Sequence, residues 1–183
     1  MRKPVCGVLA TLLVLGAGAL GAVPARAASA ASGTSCRVSN GTMSFTPTLP
    51  KLGNSSKVFP RLSISGSVSD CTGGGVSSGQ LGITTPTSKT GMNCATLAAY
   101  SATPISGTEV IVWNSGSTST IALKIVDVKT SPTMERLQGT VTSGLYKGQK
   151  ESGLIQYSLP TGGCTKSGFS SASYRLVNPL TIK

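Results

Sequence analysis

The sequence predicts an all-β protein, a Greek-key β-sandwich of roughly eight to ten antiparallel strands, with a β-barrel as the alternative. Three observations predict it. Apolar residues alternate with Ser, Thr and Gln at a period of two over much of the chain after residue 34. Clusters of Gly, Ser and Asn punctuate that alternation every ~8–12 residues, the spacing of short strands and tight turns. No amphipathic helical period survives beyond the N-terminal segment, and Cys94 to Ala99 has room for a turn or two at most.

The first strands read as Thr42 to Thr46 and Arg61 to Asp70. In the latter Leu62, Ile64 and Val68 point one way and Ser63, Ser65, Ser67 and Ser69 the other, the mark of a strand with one wet face. Gln80 to Thr85 follows. From Glu109 to Trp113 the run Val110, Ile111, Val112, Trp113 is apolar on both faces, so this is the expected central strand, with Trp113 buried. Asn114-Ser115-Gly116 then supplies turn chemistry, because Asn and Gly accept positive φ cheaply.

Ile121, Leu123 and Ile125 share one face of the next strand. Val126 and Val128 break its phase, which points to a bulge or to a stretch covered on both sides. Leu137 to Val141 and Leu154 to Leu159 come next, the latter facing inward through Ile155, Tyr157 and Leu159. The last strand runs from Tyr174 to Ile182, and Pro179 marks it as an edge or a bulged strand. Ser65-Gly66-Ser67-Val68-Ser69 echoes Gln138-Gly139-Thr140-Val141-Thr142; two similar hairpins and coincidence in a Gly/Ser-rich chain both account for it.

Domain organisation follows from the N-terminus. Arg2 and Lys3 precede an uncharged apolar run from Val5 to Val23, then Pro24 and Ala25-Arg26-Ala27. That is the pattern of a secretory signal peptide over residues 1–27, cleaved after Ala27, with Ala28-Ser29-Ala30 as a second site. The run is nearly long enough to be an uncleaved membrane anchor instead. Gly16, Gly18 and Gly21 and the small-residue cleavage signal favour removal. Cys6 stands at the start of the apolar run rather than its end, which argues against lipidation, and no Arg-Arg pair marks a twin-arginine signal. Residues 28–34 read as a flexible linker and 35–183 as a single secreted β domain, with no further apolar stretch of spanning length.

Four cysteines remain after cleavage: Cys36, Cys71, Cys94 and Cys164. An even number in an exported chain reads as two disulfides. Zinc is disfavoured, since there is no His and no Cys-x-x-Cys spacing. Of the three possible connectivities the favoured one is Cys36–Cys71 with Cys94–Cys164. Closing those loops is worth roughly 3.8 and 4.4 kcal/mol on the chain-entropy account, comparable to the whole stability of a small domain.

The 183-residue chain carries 16 Lys and Arg against five Asp and Glu. Three of the cations, Arg2, Lys3 and Arg26, belong to the leader, which leaves the secreted part with a surplus of eight. The cations are spread from Arg37 and Lys51 to Arg175 and Lys183, without a basic run or interleaved aromatics, so no nucleic-acid platform is expected. A solvated surface accounts for such charges; attraction to anionic cell-wall polymer is the functional reading. Arg136, Lys147 and Lys150, near turns and strand ends, are the first candidates for that binding.

Catalytic strings are sparse. Gly75-Val76-Ser77-Ser78-Gly79 matches a nucleophile elbow, but that chemistry needs a base to take the serine proton and the chain has no His. Gly16-Ala17-Gly18-Ala19-Leu20-Gly21 imitates a dinucleotide fingerprint inside the leader and carries no weight. No lysine follows a Ser by three residues, as a serine–lysine hydrolase would require. The acids are Asp70, Glu109, Asp127, Glu135 and Glu151, and nothing in their spacing nominates a catalytic pair. No cofactor or metal site is expected. The chain therefore reads as a non-enzymatic secreted module of the cell envelope. An extracellular protease inhibitor or small-ligand carrier is the alternative, with Thr161-Gly162-Gly163 before Cys164 as the presenting loop. The partner is then another extracellular protein.

Trp113-Asn114-x-Gly116 followed by Ser117-Thr118-Ser119-Thr120 resembles a group of secreted actinobacterial four-cysteine β proteins that have no known activity. The stretch Gly139-Thr140-Val141-Thr142-Ser143-Gly144-x-Tyr146-x-Gly148 and the signal peptide fit the same group. The resemblance covers most of the chain after the leader. It implies an exported β domain and transfers no catalytic or binding residue.

Overall fold

The computed structural model describes residues 32–89, 91–94, 104–128, 131–158, 162, 164–165 and 168–183, with backbone alone at 127 and 132. The leader over 1–27, residues 28–31 of the 28–34 linker, the turn expected after Cys94, and Lys129, Leu159, Thr161, Gly163 and Lys166 lie outside the described residues, while Thr34 already belongs to β1. Eight strands follow one another: β1 (Thr34–Leu49), β2 (Arg61–Thr72), β3 (Gly79–Thr84), β4 (Ile105–Trp113), β5 (Thr118–Val128), β6 (Ser131–Gly144), β7 (Lys150–Ser158) and β8 (Phe169–Ile182). Each pairs antiparallel with its predecessor, and β8 returns to pair with β1, closing a barrel.

The sandwich expectation is thereby corrected to the barrel. A Greek key needs a strand that skips its neighbour, whereas here every neighbour in sequence is a neighbour in space. Closure also demands strong coiling, which bulges supply. Register shifts fall between Cys36 and Asn40 and between Ser44 and Leu49 on β1, and twice along β5–β6. One of the latter, between Asp127 and Val128, is where the sequence loses its phase. On β8, Ser152 faces Thr181 while Leu154 faces Asn178, so one residue too many lies between them, at Pro179. The bulged reading of Pro179 holds; the edge reading does not, because a closed barrel has no edge.

Period two sorts the side chains. Leu62, Ile64 and Val68, then Ile121, Leu123 and Ile125, then Ile155 and Tyr157 are buried inside the tube. Trp113 is buried as expected, but Val110 and Val112 are 38% and 47% exposed. β4 is thus an alternating strand like the others, and its two valines stand on the outer wall. In a single-layered barrel no strand is covered on both faces.

The two disulfides formed are Cys36–Cys71 and Cys94–Cys164, as favoured from the sequence. Cys36 and Cys71 are directly paired across β1 and β2 near one end of the barrel. Trp113 and Tyr146 fill that end with an edge-on ring contact at 5.7 Å. The Trp113 indole donates to Ser119 Oγ, and the Tyr146 hydroxyl donates to the Gly74 carbonyl. At the other end Cys94, in the β3–β4 connection, is bridged to Cys164 in the β7–β8 connection, strapping opposite sides of the mouth. Val58 and Met92 form a two-way backbone bridge that adds the β1–β2 loop to this lid, and Met92 is buried beneath it.

An eight-stranded barrel has an interior just wide enough to fill with side chains. Gly66 on β2 shows how closely this one is filled: a Cβ there would collide with the Tyr174 hydroxyl and the Asn40 carbonyl. Gly82, on the outer wall of β3, has open space around it. Gly66→Ala is expected to destabilise by about 1–3 kcal/mol, the range for overpacking, and Gly82→Ala to stay within about 0.5 kcal/mol of wild type. Urea unfolding of the two variants checks this, and equal midpoints would refute the packing account.

Candidate functional site

Each of the eleven Lys and Arg side chains among the described residues is exposed. Their placement is uneven. The outward positions of β2, β3 and β4 are uncharged over Ser63 to Ser69, Gln80 to Thr84 and Thr108 to Val112, Glu109 pointing inward. The outward positions of β5 to β8 carry Lys124, Arg136, Lys150 and Arg175, with Lys183 at the end of β8. Lys124 faces Gln138, two residues along β6 from Arg136, which puts the two cations on one diagonal. Lys150 and Lys183 are joined by two backbone hydrogen bonds. Uncharged partners hold two of the cations: Lys150 Nζ donates to Thr140 Oγ1 at 2.9 Å and Arg175 Nη2 to Gln156 Oε1 at 3.1 Å.

Of the three candidates, Arg136 and Lys150 thus share this wall, and Lys147 lies in the β6–β7 turn at its end. Reading along the chain missed Lys124 and Arg175, which join the patch only once β5 to β8 are laid side by side. Lys51, Lys57, Arg61 and Lys89 gather at the opposite, lidded end. There Arg61 borders a shallow surface cleft of about 510 Å³ with Thr84, Thr85, Ser106 and Thr108.

The acids go the other way. Glu109, Glu135 and Glu151 are all buried, while Asp70 at the end of β2 is exposed. Glu109 on β4 and Glu151 on β7 come together in the middle of the tube, 0% and 2% exposed. None of their four carboxyl oxygens receives a hydrogen bond from an N–H or hydroxyl of the described residues. Burial raises Glu109 to about 7, against which the bond it can make to Glu151 works. Burial, then the Glu109 charge, raise Glu151 well above the ordinary carboxylate value. The third buried acid, Glu135, lines a separate cavity of about 20 Å³ under the lid, with Met43, Phe45 and Phe169 among its walls. That is room for about one water.

The pair was legible as phase rather than as a motif. Glu109-x-Ile111-x-Trp113 and Glu151-x-Gly153-x-Ile155 both place the acid in register with an inward-facing row. What the sequence hides is that strands three apart in order meet across the bore.

Comparison with family models, with curated proteins and with solved structures finds no match. The arrangement of residues alone has to carry the functional reading.

Among the described residues no three of His, Cys, Asp and Glu gather as metal ligands. The serine of the Gly75–Gly79 string sits in the β2–β3 connection, where Asn114 holds it. Asn114 Oδ1 accepts from the backbone N–H of Ser77 and of Ser78, and Asn114 Nδ2 donates to Ser77 Oγ. Its own N–H donates to the Ser78 carbonyl. Gly116, at φ 80°, closes the turn that aims Asn114 at this loop. The Trp113-Asn114-x-Gly116 motif is therefore a brace between neighbouring turns. Of the Thr161-Gly162-Gly163 segment only Gly162 is described; its carbonyl accepts from the Thr165 N–H.

Asn114→Ala is expected to lower stability by about 1–2 kcal/mol, the loss of side-chain bonds to partners that water can partly replace. Hydrogen exchange should quicken at the Ser77 and Ser78 amides first. Unchanged protection at both would refute the brace.

Proposed function

We propose that this chain is a secreted, non-enzymatic β-barrel of the cell envelope that binds anionic wall polymer through the outer wall of β5 to β8. The observation that carries the reading is the segregation of charge. Three of the five acids are drawn inside the barrel, while Lys124, Arg136, Lys150, Arg175 and Lys183 stand together outside. A wall whose described charges are all cations attracts polyanions, and screening by salt weakens that attraction. Two formed disulfides fit an oxidising compartment, which agrees with the secretory reading of residues 1–27.

A binding role fits the interior better than catalysis does. The one pair of carboxyls brought together among the described residues is sealed from solvent, beyond the reach of a polymeric substrate. Most outward side chains are hydroxyls, amides and cations, with Val38, Val110, Val112 and Val177 exposed among them, and most inward ones are apolar, the inverse of the pattern of a lipid-facing barrel. No helix among the described residues is long and apolar enough to cross a membrane. The ligand-carrier alternative would need an internal space that Tyr157, Tyr174 and the aliphatic side chains occupy.

Co-sedimentation of the oxidised mature protein with purified anionic wall polymer tests the proposal. Binding is expected at low salt and should fade at high salt. The variant K124Q/R136Q/K150Q/R175Q should bind at least about tenfold more weakly, as expected when several phosphate-type contacts are removed together. K51Q/K57Q/R61Q/K89Q removes the same charge from the lidded end and should bind nearly as wild type does. Equal losses in the two variants would reduce the effect to net charge, and no binding at either salt would overturn the proposal.

A further inference from the structure

Glu109 and Glu151 meet in the bore with no compensating charge. The strands around them present Ile83 from β3, Ile121 from β5, Gly139 from β6 and Ile182 from β8, each directly paired with one of the two acids or lying against them. Gly139 is there for space: a Cβ at that position would meet Glu151 Oε2 at 2.9 Å and collide with Ile121. β1 contributes Ser39 and β8 contributes Tyr174, both buried, beside a cavity of about 10 Å³. Among the described residues the Tyr174 hydroxyl is the further titratable group that feels the pair; burial raises it, Ser39 lowers it, and the Glu109 charge raises it further. No lysine or arginine of the described residues is buried, so none can neutralise the carboxyls.

Two ionised carboxylates in such a place would repel each other in a low dielectric, with no hydrogen-bond donor to either among the described residues. A proton between them removes one charge and makes the hydrogen bond that their acceptor-only oxygens otherwise lack. We propose that the Glu109–Glu151 pair is a proton lock on the barrel: the folded chain keeps at least one proton between the two carboxyls near neutral pH, and rising pH loosens the barrel by withdrawing it. The lock is independent of what the outer wall binds.

The direction follows from linkage. In the unfolded chain each carboxyl titrates near 4.5, while in the barrel Glu109 lies near 7 and Glu151 is also raised. Between those values the folded chain holds protons that the unfolded chain has released, so stability falls as pH rises. The contribution is complete below about 4.5 and is lost as pH passes through neutrality. This is the reverse of the usual acid lability of paired carboxylates, and it makes the closed barrel an acid-to-neutral state.

Two measurements on the oxidised mature protein test the lock. Infrared spectra of the folded wild type near neutral pH should contain the carbonyl stretch of a buried protonated carboxyl, absent from E109Q/E151Q. Urea unfolding across the range from about pH 5 to pH 8 should show the unfolding constant of the wild type rising by about two orders of magnitude. The double variant should show a nearly flat profile, because Gln keeps the shape and cannot ionise. An absent carbonyl band in the wild type, a stability that is level or climbs with pH, or the same slope in the double variant would each overturn the proposal. Where the double variant fails to fold, the single variants E109Q and E151Q serve in its place: each should change the band and flatten the pH profile in part, and an unchanged band in both would overturn the proposal.

Discussion

Pairing of β8 with β1 is the contact on which the rest of the molecule depends. Joined there, eight strands that would otherwise form an open meander enclose a tube whose bore is set by strand number and tilt. Every inward position must then be filled without being overfilled. Bulges on β1, β5–β6 and β8 provide the coiling that lets the ends meet. Inward glycines take up the remaining mismatch. Gly41 gives way to the Tyr174 ring and Gly66 to its hydroxyl, and Gly139 to Ile121 and the Glu151 carboxyl. The disulfides act on the same problem from outside the bore, one stitching β1 to β2 and the other drawing two loops across the opposite mouth.

Closure also decides the electrostatics. A barrel wall one layer thick offers each strand position a single choice between bore and solvent, so phase along the strand sets the fate of each charged residue. Cations at the outward phase of β5 to β8 become a continuous field. Acids at the inward phase of β4, β6 and β7 lose their water, and for Glu109 and Glu151 only a proton can offset that loss. The basic outer wall and the proton-holding interior are thus two consequences of one sorting rule. The net charge of the chain understates the surface charge for this reason: three of the five acids that lower it, Glu109, Glu135 and Glu151, are not on the surface.

Much of this was legible in the sequence and some of it could not have been. Alternation gave the strand from Arg61 to Asp70 and the inward row Ile121, Leu123, Ile125, because a half-wet strand imposes period two directly. Cysteine count predicted two bridges, and of three possible connectivities the favoured pairing of sequence neighbours is the one formed. Ring closure was not legible. It joins Thr34 to Ile182, across nearly the whole chain, and a strand written for a sandwich alternates as a strand written for a barrel does. The misreading of Val110 and Val112 has the same origin, since an apolar run over four residues is equally compatible with a doubly covered strand and with two valines left outside. The acid pair fell between these cases. Each Glu announced its inward phase, but their meeting required the ring.

The echo between Ser65–Ser69 and Gln138–Thr142 acquires a physical content in this light. The two segments lie on β2 and β6, on different sides of the barrel, and their glycines both face the bore. In each case the residue two positions on, Val68 or Val141, is buried in the adjoining layer. In each case the missing Cβ accommodates a polar group, a hydroxyl at Gly66 and a carboxylate at Gly139. In both segments a glycine two residues before an inward Val leaves room for a buried polar side chain of another strand. At Gly66 the group comes from β8, across β1, and at Gly139 it belongs to the direct cross-strand partner, so the two glycines meet related rather than identical steric demands.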